Sequence, residues 1–391
     1  MRMSAKRIPL SPVLAALLLS LAGCASVQVA QPTATEVVED AGPGTHWTFD
    51  ETRPPAESDG YRPPRKLAVL LPMTGSLATA AGSVRDGLLA GYYGERRPRP
   101  ELAFYDTTGT ASGASAALAR ALSEGADQVL GPLGREEVVA IASSPSAQPI
   151  VTLNSSDATL GTNVAAFGLS PEDEGRAIGN YLSARNARRV LVLSSGDDGA
   201  NRSVNALRAV LQADGGEIVD TLAVVGETPG DLTSALRASA SREGGVDAVV
   251  LALRGNQARL VAPQLAAAGL SQRLRIATAQ ITSGTGKAEE DRALDGIVFP
   301  SEAWVVGGTS ALPNAATLGR DLPTARGPAA RLFAFGHDAW LLSGWLYHLA
   351  SNPTARINGA TGQLGLQADG TVVRQPAWAT FSGGAVVAQR D

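Results

Sequence analysis

A chain of 391 residues with 44% hydrophobic and 18% charged residues can bury more than one core, and its formal charge of −4 argues against a nucleic-acid partner. One cysteine, Cys24, excludes an intrachain disulfide. The three histidines, His46, His337 and His348, have no spacing that suits a metal centre, because the two nearest each other are too far apart for one helical turn.

The chain opens on Arg2, Lys6 and Arg7, followed by an uncharged apolar run over residues 8–22. These are the charged and apolar regions of a secretory signal, too short to span a bilayer as a permanent helix. The run closes on Leu21, Ala22, Gly23 and Cys24, a lipobox, so residues 1–23 are predicted as a lipoprotein signal peptide and Cys24 as the site of lipidation, palmitate among the acyl chains. Acyl chains stabilise membrane attachment by about 0.8 kcal/mol per buried methylene, enough for essentially permanent anchoring. Residue 25 is Ala rather than Asp, which directs the expectation to the periplasmic face of the outer membrane. Residues 24–65 hold Pro32, Pro43, Pro54, Pro55, Pro63 and Pro64 and more acids than arginines, a composition predicted to form an unfolded tether. Trp47 and Phe49 are expected to dock only loosely on whatever follows.

From Lys66 the texture changes. Short, continuously apolar runs at 66–72, 101–106, 127–132, 149–154, 188–195, 246–253 and 274–279 read as strands buried on both faces of parallel sheets. Helical stretches lie between them. The clearest start is Ser170 as cap, Pro171 at the first helical position and Asp173 completing a capping box, with Ile178, Tyr181 and Leu182 as the apolar face. Strand–helix alternation over this length predicts an α/β fold of two doubly wound lobes. Lobe 1 is expected over about 66–167 and 299–350, and lobe 2 over about 168–298 with the C-terminal segment. The crossover is placed near Phe167–Ser170 and the return near Gly296–Phe299.

Enzyme motifs are tested and rejected. Ser283, Gly284, Thr285, Gly286 and Lys287 lack the first glycine and the final hydroxyl of a phosphate loop. No nucleophile elbow occurs. His337 beside Asp338 lacks a third partner and reads as packing or capping. No catalytic residue, cofactor or metal is expected. In doubly wound sheets ligands meet loops at the carboxyl ends of the strands. The candidate cleft residues are therefore Thr74, Gly75, Ser76, Asp106, Asn154, Ser155 and Ser156 from lobe 1, with Ser195, Asp198 and Asn256 from lobe 2.

This order resembles the type I periplasmic-binding-protein fold of branched-chain amino-acid receptors. Five strings resemble the LppC lipoprotein family more closely: LAVLLPMTGSLATAAGSVRDGLLAGYY (67–93), GPLGREEV (131–138), FGLSPEDEGRAIGNYL (167–182), RLFAFGHDAWLLSGWL (331–346) and INGATGQLGLQADGTVVRQPAWATF (357–381). The resemblance implies an outer-membrane activator of a bifunctional penicillin-binding protein, which would be its partner in peptidoglycan biosynthesis and hence cell shape. Long family members carry a helical-repeat domain where this sequence has only the expected tether. The second reading is a lipidated solute receptor for a small amino-acid-like ligand. Against it, Tyr181 is the only aromatic between Gly168 and Val298, so that stretch has few rings to close over a solute.

Overall fold

The computed structural model describes residues 46–155 and 159–389. The expected signal peptide, the Cys24 lipid site, residues 24–45 of the expected tether and Ser156 lie outside the described residues.

Strands β1 (Lys66–Leu71), β2 (Glu101–Asp106), β3 (Gln128–Leu130), β4 (Ile150–Thr152) and β5 (Val164–Ala166) form an all-parallel sheet ordered β2-β1-β3-β4-β5. Crossover helices α1 (Ala78–Gly94), α2 (Ala111–Ser123) and α3 (Arg135–Ile141) cover it. The alternation in β1 explains why its run is apolar throughout. Leu67, Val69 and Leu71 enter one core with Leu130, Phe335 and Trp340, while Ala68 and Leu70 enter the other with Val129 and Val138. Each fully buried Leu or Val contributes roughly 1.5–3 kcal/mol.

The chain crosses after β5 into α4 (Pro171–Ser183), where the Ser170 side chain accepts a hydrogen bond from the Asp173 N–H and Pro171 holds the first position. Ile178, Tyr181 and Leu182 are buried, as the pattern predicts. Strands β6 (Arg189–Ser194), β7 (Glu217–Ala223), β8 (Ala248–Ala252), β9 (Leu274–Ala277) and β10 (Val298–Ser301) make the parallel part of a second sheet, with α5 (Asp198–Ala213), α6 (Thr233–Ala240), α7 (Gly255–Ala267) and the single turn α8 (Ala288–Asp291) between them. β10 still belongs to this sheet, so the return to lobe 1 follows Ser301.

Short helices α9 (Ala303–Val306) and α10 (Ala315–Asp321) lead to α11 (Pro328–Ser351), which packs on α1 in the first lobe. Glycines set that contact. A Cβ on Gly87 would lie 1.9 Å from the Phe333 carbonyl oxygen, and one on Gly336 would lie 1.9 Å from that of Val84. A small antiparallel sheet follows, β11 (Ile357–Asn358), β12 (Gln363–Leu366) and β13 (Val372–Gln375). The chain then returns to lobe 2 as β14 (Ala377–Ser382) and β15 (Ala385–Ala388), extending the second sheet to the order β15-β14-β10-β9-β8-β6-β7.

The tether expectation is corrected for residues 46–65, which fold as a strap over lobe 1. Arg53 is 3% exposed; it donates through Nε to Asp127 Oδ2 at 2.7 Å and through Nη1 to Gln128 Oε1 at 3.1 Å. Trp47 sits in the main core and stacks on Phe49, whose ring meets Tyr347. Tyr61 is buried against Trp345, and its hydroxyl donates to the Pro98 carbonyl. The prolines that suggested disorder space these anchors; three aromatic side chains and one buried ion pair offset the ordering entropy.

Candidate functional site

Strands β6, β8 and β9 end at a cavity of about 270 Å³ that faces α11 of lobe 1. Its lobe 2 wall includes Ser195, Asp197, Arg254 and Thr278, and its lobe 1 side presents Arg331. Asp197 caps α5, accepting from the Ala200 N–H at 2.9 Å and from the Ser195 hydroxyl at 2.9 Å. Those bonds, led by the one from Ala200, hold its carboxyl below the ordinary carboxylate range.

Arg331 crosses between the lobes. Its Nη2 donates to Glu174 Oε1 on α4 at 2.5 Å, and its Nε lies 3.1 Å from Glu302 Oε1 just after β10. The second contact is ionic without hydrogen-bond alignment. Glu174 also accepts from the Ala279 N–H, which ties it to the end of β9. Burial opposes the Arg331 charge, but Glu174 and Glu302 together hold its pKa above the usual value. The cation that lobe 1 presents to the inter-lobe cavity is thus neutralised by the protein's own carboxylates.

The expected cleft residues are dispersed. Ser195 lines this cavity, and Ser155 lines an adjacent one with His46 and Arg176. Thr74 donates to Asp106 Oδ2 at 2.9 Å, and Asp106 also accepts from the Met73 and Thr108 N–H groups, so this carboxylate organises its own turn. Burial is the largest single influence and raises its pKa, but those bonds together outweigh it, and its pKa is lowered. Gly75 and Ser76 occupy the exposed β1–α1 loop, where Gly75 has φ +82°. Asn154 bonds the Leu133 carbonyl and the Ser155 N–H. Asp198 faces Arg202 at 3.4 Å, and Asn256 donates to Glu227.

His337 and Asp338 are both buried, and the aspartate accepts from the Ala360 N–H at 2.5 Å, the Thr361 N–H at 2.7 Å and the Thr361 hydroxyl at 2.6 Å. This carboxylate pins residues 359–361 to α11. A Cβ on Gly359 would stand 2.5 Å from Asp338 Oδ2, which explains the glycine there.

Sequence reasoning missed Glu174, Glu302 and Arg331. The available signal was Arg331 at the head of an otherwise apolar helix and Glu174 one turn into α4.

The sequence profile of the LppC lipoprotein family matches residues 61–384. The penicillin-binding protein activator LpoA of Pectobacterium parmentieri is 26% identical over 311 residues, covering 69% of this chain and 45% of that protein. Its namesake in Klebsiella pneumoniae is 27% identical over 321 residues, covering 74% and 45%. The chain spans about half the length of the curated relatives it matches. Among solved structures, the Haemophilus influenzae LpoA C-domain, described as a regulator of PBP1A, superposes with a TM-score of 0.69 at 20% identity, covering 83% of this chain and all of that one. A Chromobacterium violaceum protein assigned to branched-chain amino-acid ABC transport superposes with a TM-score of 0.64 at 26% identity, covering 81% and 99%. The two-lobed periplasmic-binding-protein-like fold is common to all of these structures.

Proposed function

The chain belongs to the LppC lipoprotein family, and from that premise we propose that it regulates peptidoglycan synthesis by binding and activating a bifunctional penicillin-binding protein. The observation that carries this reading is the Arg331–Glu174–Glu302 cluster. A solute receptor for amino acids needs charges left open for the α-carboxylate and α-ammonium groups, and here Arg331, the cation that lobe 1 presents to the cavity, is already engaged by Glu174 and Glu302. The fold is then used as a rigid binding body. A regulator of this kind needs no chemistry of its own, since a few kcal/mol of differential affinity for one state of the synthase changes its rate several-fold.

Cys24 as the lipidated residue and the periplasmic face of the outer membrane as the location belong to the same proposal. With residues 46–65 folded onto lobe 1, the spacer available between lipid and domain is at most residues 25–45, roughly 25 Å when relaxed and ~70 Å when stretched. Affinity capture tests the reading. Tagged protein from chemically crosslinked cells should bring down a bifunctional penicillin-binding protein in wild type and lose it when residues 66–391 are removed. Capture of an inner-membrane permease in its place would move the account to solute transport.

A further inference from the structure

A second concave surface lies away from the inter-lobe cavity, between α4 and the β12–β13 pair, with a volume of about 570 Å³. That size falls within the ~300–1,000 Å³ of small-ligand sites. Its charge is lopsided. Arg176 comes from α4, Arg185 from just beyond its C-terminus, Arg356 from the segment before β11 and Arg374 from β13, against one acid, Asp173.

The four cations are differently placed. Arg176 is exposed and pairs with Asp173, an arrangement that a stronger anion can replace, since exposed pairs hold together weakly. Arg185 lies 3.6 Å over the Tyr181 ring, which in turn meets Trp378 at 4.1 Å. Arg356 is exposed and its guanidinium donates only to the backbone carbonyls of Pro353 and Ala355. Arg374 is 8% exposed; its Nη1 donates to the Thr361 carbonyl at 3.1 Å, while its Nε has no acceptor. Burial pulls its pKa down and Arg331 opposes its charge further, with Glu302, Glu174 and the groove's own Asp173 compensating from beyond ion-pair distance. A buried guanidinium with no adjacent carboxylate adds positive potential to the surface above it. Beside the cations stand carboxamides, with Gln363 and Gln375 directly opposite in the β12–β13 register.

We propose that this groove docks an extended acidic peptide segment of a partner protein, its carboxylates on Arg176 and Arg356 and its backbone amides on Gln363 and Gln375. Guanidinium groups match carboxylates in a planar, two-pronged geometry. Paired carboxamides offer both a donor and an acceptor to a peptide bond, and the half-buried Trp378 gives an apolar side chain somewhere to rest. The groove would take such a segment whichever partner protein supplies it.

The test is fluorescence anisotropy with the full chain and a labelled six-residue peptide of alternating Glu and Leu, beside a matched Gln and Leu peptide. The Glu peptide should bind, weaken at least tenfold between 50 and 300 mM salt, and weaken at least tenfold in Arg356→Glu and Arg176→Glu. Arg96→Glu, an exposed arginine of lobe 1 outside the groove, should bind as wild type. Equal binding of the Gln peptide, no binding of either, or unchanged affinity in both groove variants overturns the proposal. So does stronger binding to phosphatidylglycerol vesicles than to the Glu peptide, which would make the groove a lipid-headgroup surface.

Discussion

Arg331 is where the chemistry of a side chain decides between two uses of one fold. Its head group joins a helix of lobe 1 to Glu174 of lobe 2 and to Glu302 at the return just after β10, and both acids are nearly inaccessible, Glu174 at 5% and Glu302 at 6% exposed. Removing the cation leaves two buried carboxylates without their ion-pair partner, with only the more distant Arg374 to offset them. Arg331→Met should therefore lose about 2–3 kcal/mol of stability, below the ~3–5 kcal/mol of a fully enclosed pair because a quarter of the arginine side chain remains exposed. Urea unfolding of the variant measures this, and a loss under about 0.5 kcal/mol would show that the cluster does not hold the lobes together. Asp338 shows the opposite situation. Its neighbour His337 gave it the outline of an acid–base pair, yet its oxygens are committed to Ala360 and Thr361, and Gly359 is there because nothing larger fits against them.

At the scale of elements, the strap of residues 46–65 makes the sharpest prediction. Its Arg53–Asp127 pair is enclosed, with the two side chains 1% and 8% exposed, and Asp127 also accepts from the Arg65 and Lys66 N–H groups at the entrance to β1. Limited proteolysis should therefore leave a resistant core that begins near His46. Arg53→Ala should release the strap, move the first cleavage towards Lys66 and cost about 3–5 kcal/mol. A wild-type core starting at Lys66 would contradict the packing seen here. The strap also shows how far sequence patterning reaches. All seven continuous apolar runs became strands because burial on both sides of a parallel sheet writes itself directly into composition. The edge strand β7, with the alternating sequence EIVDTLA and partial exposure, and the three-residue β5 carried no such run and went unread. The strap was misread for a related reason. Averaged composition hides Arg53 and the aromatic anchors Trp47, Phe49 and Tyr61, whose value depends on Asp127, Trp345 and Tyr347 elsewhere in the chain. The cleft residues were legible as loop positions, but their partners were not. Whether Thr74 or Asp106 is open to a ligand depends on hydrogen bonds that spacing alone does not reveal, and Arg331 arrives from a helix more than 150 residues away from Glu174.

For the molecule as a whole, two lobes bridged by an internal ion cluster and membership of the LppC lipoprotein family both support the proposed regulator that acts through contact, and the strap shortens whatever spacer its proposed lipid anchor would have. The distance between lipid and domain would matter to a protein anchored as proposed, because the partner would have to come within reach of a body held close to its membrane. Activation by contact makes a definite kinetic claim: the synthase's own active site does the chemistry, and this chain shifts its population towards the productive state. The direct measurement is peptide crosslinking by the bifunctional penicillin-binding protein of the same organism, supplied with lipid II in detergent, with and without the lipidated chain. The account predicts a several-fold rise in the crosslinked fraction that saturates with added protein and is retained in Thr74→Ala and Ser195→Ala. No physical association and no change in crosslinking with any bifunctional synthase of that organism would contradict it.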